Sequence, residues 1–219
     1  MASSCKQQQD EGVVAKGEPV GPPVPCALVT TVDDTRTVTL IESHEGRIET
    51  VLTQADDQNA NKIAWISKLN YDEQGQLKSI DKTVSGERIS LGIKAVTDYV
   101  YDEKGRVTSS SAKDSSGRTH ERRWIYEDAD ARPDRVELLL DGEVREQLRL
   151  DYAGAPVWTQ PLYLGEGPLF GALKVLGGEG AEAAETRSYD PATGALVETT
   201  YAGGGTERYY YGDECEQVG

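Results

Sequence analysis

The sequence predicts an all-β fold, a single antiparallel β-meander of about 10–12 strands rolled into a curved or half-barrel sheet. Three observations carry this reading. Short runs of β-branched and aromatic residues alternate with polar ones at a period of two. Between the runs recur turns that an aspartate opens and a glycine closes. Hydrophobic residues make up only 37% of the 219, with a mean hydropathy of −0.56. So thin a core suits a broad sheet with one wet face better than a thick sandwich.

The turn is fullest in Tyr99-Val100-Tyr101-Asp102-Glu103-Lys104-Gly105-Arg106-Val107. Tyr99 and Tyr101 leave the same face of a strand. Asp102 can accept hydrogen bonds from the backbone N–H groups just ahead of it. Gly105 stands where the hairpin loop needs a positive φ, which costs other residues roughly 1 kcal/mol or more. Val107 then resumes the extended chain. The same chemistry appears at Tyr71-Asp72-Glu73-Gln74-Gly75-Gln76-Leu77, and with one inserted residue at Tyr189-Asp190-Pro191-Ala192-Thr193-Gly194-Ala195-Leu196. Shorter relics are Tyr126-Glu127, Asp151-Tyr152-Ala153-Gly154, Ser43-His44-Glu45-Gly46-Arg47 and Asp114-Ser115-Ser116-Gly117-Arg118. Tyr71, Tyr101, Tyr126 and Tyr152 follow one another at 30, 25 and 26 residues, the length of two strands and two turns.

These copies resemble the YD-repeat (RHS-repeat) family, whose motif reads Y-D-x-x-G-R-L/V. The copy from Tyr101 to Val107 matches throughout, and Gln76 replaces the arginine in the copy at Tyr71. The resemblance spans residues 63–211. It implies a hairpin scaffold of envelope and secretion biology, where such repeats form shells around toxins or surface proteins. It also implies a protein partner, with an immunity or accessory protein of a secreted effector as one subclass.

In chain order, residues 1–26 read as a flexible tether, with Gln7-Gln8-Gln9 and a Gly21-Pro22-Pro23-Val24-Pro25 run. The stretch Ala2-Ser3-Ser4-Cys5 resembles the processed end of a bacterial lipoprotein. That resemblance implies a lipid anchor on Cys5 and a place in the bacterial cell envelope, in the periplasm or at the outer membrane, touching membrane only through the anchor. The β domain is expected over 27–215, opening with a hairpin of 37–42 and 47–53. The polar loop 55–61 holds adjacent Asp56 and Asp57 and lacks the alternation of a calcium loop. Ile63, Trp65, Ser67, Leu69 and Tyr71 then share one face. The strand 77–84 follows, and 85–87 leads into 89–93.

After the central hairpin, Arg118, His120, Arg122, Trp124 and Tyr126 share a face. Turned inward, His120 and Arg122 could grip an anion or a partner's carboxylate; turned outward, the arginines would pair with cross-strand glutamates. Val136, Leu138 and Leu140 turn over Asp141-Gly142 into a strand carrying Val144, Leu148, Leu150 and Tyr152.

The repeat breaks at 156–176, where a mostly irregular or short-helical insertion holds the longest apolar passage and the only phenylalanine. One reading is a plug filling the concave side of the sheet. The other is a lid or a contact surface for lipid or protein. Trp158, Tyr163, Leu164, Leu169 and Phe170, with His120, Arg122 and Trp124, are the candidate binding surface. Residues 177–185 read as a linker. A last hairpin over Gly203-Gly204-Gly205 joins 188–201 to 206–211, and 216–219 form a tail.

Cys26 and Cys215 stand at the two ends of the β domain, which suggests a disulfide tying the termini. The competing reading is a cytoplasmic protein with three unpaired thiols. A net charge of −15 and a pI near 4.6 repel phosphate backbones, so no nucleic-acid partner is expected. Two distant histidines, His44 and His120, supply no metal-ligand spacing. A Gly-x-Ser-x-Gly elbow, a phosphate loop, a dinucleotide fingerprint, Cys-x-x-Cys and His-Glu-x-x-His are all absent from the sequence. The expectation is therefore a non-catalytic binding protein with no cofactor, no metal and no catalytic residue. Its partner is a protein or, alternatively, a lipid or lipoprotein held by a half-barrel carrier under an apolar lid. A structural repeat fragment of a larger shell is the third alternative.

Overall fold

The computed structural model describes residues 21–33, 35–55, 63–86, 94–127, 132–158, 160–164, 167–177 and 182–218. Its strands are β1 (Ala27–Val32), β2 (Thr35–His44), β3 (Arg47–Ala55), β4 (Ile63–Tyr71), β5 (Leu77–Gly86), β6 (Lys94–Tyr101), β7 (Val107–Lys113), β8 (Thr119–Ile125), β9 (Arg135–Leu140), β10 (Glu143–Asp151), β11 (Leu162–Tyr163), β12 (Pro168–Leu169), β13 (Lys174–Gly177), β14 (Ala183–Tyr189), β15 (Leu196–Tyr201) and β16 (Thr206–Tyr210). A 3₁₀ helix, Gly212–Gln217, follows. Every strand pair is antiparallel. Fourteen of the strands close into one barrel, in the order β1-β16-β15-β14-β13-β10-β9-β8-β7-β6-β5-β4-β3-β2, and β11 and β12 form a separate two-stranded ribbon.

The all-β antiparallel meander is what the sequence predicted; its closure and its strand count correct the half-barrel of 10–12. β1 was not expected because its residues do not alternate. Ala27, Leu28 and Val29 are all buried, since Val218, beyond the 3₁₀ helix, packs with Ala27 and Val29 on the outer face while Leu28 joins the inner core. β13 spans the end of the expected insertion, 156–176, and is four residues long. The linker reading of 177–185 also gives way, because Gly177 ends β13 and Ala183 begins β14. Residues 87–93, and with them the expected strand 89–93, lie outside the described residues, as does most of the 55–61 loop.

The Asp-x-x-Gly turns form as their chemistry demands. Asp72 Oδ1 accepts from the backbone N–H of Gln74 and Gln76 at 3.0 and 2.8 Å, and Asp102 Oδ1 from Lys104 and Arg106, both at 2.9 Å. Gly75 and Gly105 sit at φ of 80° and 76°. A β-bulge precedes the motif tyrosine in three hairpins, at Asn70/Tyr71, Val100/Tyr101 and Ser188/Tyr189. The bulge puts two residues against one, so Leu77 and Ile80 both reach the interior although they are three apart; each is almost fully buried. Repeated around the sheet, this local bend supplies the curvature that closes the barrel.

Inward positions carry the core: Leu28, Ile41, Val51, Leu69, Leu77, Ile80, Tyr99, Val107, Trp124, Val136, Leu196 and Tyr209. Outward positions carry ion pairs, Arg123 with Glu121 at 2.7 Å and Arg208 with Glu198 at 2.9 Å, together with exposed Arg145, Gln147 and Arg149. This alternation is the reverse of a transmembrane barrel, which turns an apolar band outward and a polar lining inward. Eight strands are about what side chains alone can fill. A ring of 14 leaves space inside that the wall cannot occupy, and Trp158, Leu162 and Phe170 of the connection between β10 and β13 pack into it.

Candidate functional site: the barrel lumen

One end of the barrel carries a ring of tyrosines. Tyr71, Tyr101, Tyr126, Tyr152, Tyr189 and Tyr211 each donate a hydroxyl hydrogen to a backbone carbonyl at or near the start of the adjacent strand: Ile48, Leu77, Val107, Pro133, Ala172 and Leu196, at 2.7 to 2.9 Å. The motif thus builds a ring of staples, one per hairpin. Guanidinium groups lie over three of the rings: Arg47 over Tyr71 (5.9 Å), Arg106 over Tyr126 (4.3 Å) and Arg132 over Tyr152 (4.5 Å). At Tyr101 the equivalent residue is Gln76, and there the Tyr163 hydroxyl of the insertion meets the Tyr101 hydroxyl at 3.1 Å. Burial raises the Tyr71 hydroxyl to about 12, partly opposed by Arg47.

Within the insertion at 156–176, the described residues before β13 form a plug without helix, and 174–176 belong to the barrel wall. Trp158, 4% exposed, donates its indole N–H to the Gly194 carbonyl at 3.1 Å and meets Tyr189 edge-on. Tyr163 packs edge-on against Tyr99, and Phe170 lies 6.4 Å from Trp124. Trp158 and Phe170 therefore belong to the core, and Tyr163, Leu164 and Leu169 pack against it half-buried.

Trp124 and Arg122 also face inward, whereas His120 lies at the far rim, exposed and 3.0 Å from Asp114 Oδ2. Hydrogen bonds from Ser116 and then His120 hold the Asp114 carboxyl well below its usual range. Cys26 and Cys215 are bonded, with Cα atoms 6.1 Å apart, fastening the start of β1 to the 3₁₀ helix. Cys5 lies outside the described residues. Among the described residues no three His, Cys, Asp or Glu side chains gather as a metal site.

Behind the plug a cavity of about 400 Å³ remains, within the size range of small-molecule sites. Leu28, Trp124, Val136, Leu138, Leu148, Leu150, Phe170 and Val175 give it an apolar wall. Opposite stands a polar group that sequence reasoning missed. Arg187 and Glu185 of β14 pair at 2.7 Å, and Glu207 of β16 accepts the Tyr209 hydroxyl hydrogen at 2.8 Å. Burial works against the Arg187 charge, but Glu185 together with Tyr189 and Tyr209 more than offsets it and raises the guanidinium above its ordinary value. Arg187 is 7% exposed, and its Nε is buried without a hydrogen-bond partner. The signal is the i, i+2 run Glu185, Arg187, Tyr189, of which Glu185 alone falls within the 177–185 linker expectation.

The fold and the lumen define a plugged antiparallel barrel with an apolar interior and a charged exterior. Among solved structures the chain is similar to a porin-like protein from Bacteroides uniformis ATCC 8492, with a TM-score of 0.50 and 11% identity over 87% of this chain and 98% of that one. At that identity the similarity bears on the fold alone. No protein-family model and no curated protein matches the sequence.

Proposed function

We propose that the chain is a non-catalytic carrier of the bacterial cell envelope that holds one hydrophobic chain of a ligand in its lumen. The carrying observation is the cavity of about 400 Å³ between plug and wall, lined by leucine, valine, phenylalanine and tryptophan. The apolar wall of that cavity is stabilised by whatever apolar surface covers it. The ordered plug occupies the residues that could otherwise have served as an outer docking surface, which favours a lumenal ligand over a protein partner. A lipid on Cys5 and the tether 1–26 would hold the barrel near a membrane that its own charged exterior does not enter. The YD-repeat resemblance belongs to this proposal as the origin of the hairpin scaffold, and the ring of tyrosine staples supports it.

The test uses an uncharged alkyl maltoside with a brominated chain, below its micelle concentration. Saturable quenching of tryptophan fluorescence is expected, with most of the quenching lost in Trp124→Phe and the affinity lowered by filling the cavity with Leu150→Trp. An absence of saturable quenching in a folded protein would overturn the proposal.

A further inference from the structure

The polar side of the lumen has a composition that an acyl carrier does not need. Arg122 and Arg187 face the cavity together with Glu185 and Glu207, so the lining charges sum to zero. A simple anion would meet two carboxylates there, and a simple cation two guanidinium groups. The register places the charges in order: Arg187 pairs with Thr199, and Thr199 with Glu207, on the inner faces of β14, β15 and β16. Positive and negative groups thus lie side by side, two strands apart, about 10 Å along the wall.

Each half of this arrangement lacks something a ligand could supply. Arg187 pairs with Glu185 through Nη2 and leaves the buried Nε–H without an acceptor. A buried donor in that state costs about 1–3 kcal/mol, and an incoming oxyanion would recover it. Glu207 takes hydroxyl hydrogens from Tyr209 and Tyr201, while a carboxylate has room for about four such bonds. Tyr201 and Tyr209 flank it on the cavity wall. A carboxylate between tyrosine rings suits an ammonium group, which both the charge and the rings attract.

We infer that the lumen takes a single-chain zwitterionic amphiphile, its phosphodiester on Arg187 and its ammonium beside Glu207 and the tyrosines, with the chain along the Leu148, Leu150 and Phe170 wall. This rests on the carrier reading above and adds the headgroup class to it. Brominated dodecyl probes of equal chain length test it, with maltoside, phosphocholine, sulfate and trimethylammonium heads. Phosphocholine should bind at least roughly tenfold more tightly than each of the others, the scale of one charge-assisted hydrogen bond. In E185Q/R187Q, which removes the ion pair as a unit, that preference should shrink to about threefold or less, while the thermal midpoint persists.

Equal binding of phosphocholine and maltoside, tighter binding of sulfate, or an unaltered preference in the double variant would overturn the headgroup assignment and leave the carrier standing. Binding of none of the probes would overturn both.

Discussion

Two glycine substitutions in the same kind of turn separate backbone strain from side-chain contact. Gly75 and Gly117 each close an Asp-x-x-Gly turn, at φ of 80° and 84°, with matching hydrogen bonds to Asp72 and Asp114. Alanine at either must adopt the left-handed region, at about 1–2 kcal/mol. The lower entropy of the unfolded chain returns about 0.4–1 kcal/mol of that. Nothing lies within 4 Å of a Cβ built at Gly117, so Gly117→Ala should cost about 1 kcal/mol.

A Cβ at Gly75 would run into the Arg47 guanidinium, which must leave its place over the Tyr71 ring. That contact adds about 0.5–1 kcal/mol, so Gly75→Ala should cost about 1.5–2 kcal/mol. Urea unfolding followed by tryptophan fluorescence measures both, and for a chain of this size each kcal/mol moves the thermal midpoint by about 2–4 °C. In an Arg47→Ala background the excess at Gly75 should vanish. Equal costs at the two glycines, or an excess that survives the loss of Arg47, would refute the assignment of the difference to Arg47.

The other expectations are briefer. Tyr126→Phe leaves the Val107 carbonyl without its hydroxyl donor and should cost about 1 kcal/mol or a little more in urea unfolding. Reducing the Cys26–Cys215 bond releases a closure of 189 residues. It should lower stability by about 3–5 kcal/mol, read as a drop in thermal midpoint on adding reductant, and the unreduced protein should show no reactive thiol at either position. Ten of the 11 tyrosines have hydroxyls raised by burial before any other cause. Their contribution is complete below the unfolded value near 10 and declines as pH rises through the folded values, which for Tyr71 and Tyr189 are about 12. Ultraviolet titration should therefore show most phenolates appearing with alkaline unfolding, and independent ionisation near pH 10 would contradict the staple ring.

The sequence by itself determined the hairpins. Asp102 and Gly105 act on neighbours a few residues away, and the pairing of Tyr99 with Tyr101 on one face follows from strand geometry alone, so each turn and most strand arms were legible. It also carried one long-range clue, the cysteines at 26 and 215, whose pairing already brings the two ends of the domain together. Tertiary structure decided the rest. The bulges at Tyr71, Tyr101 and Tyr189 break the period of two without a local signature and set the curvature. The pairing of Leu28 with Tyr209, which closes the ring, joins positions nearly the whole chain apart. Which face became the interior followed from that closure: Arg122 and Arg187 look in sequence like any other strand arginines, and only a ring of 14 strands, too wide for its own side chains to fill, turns them toward a cavity.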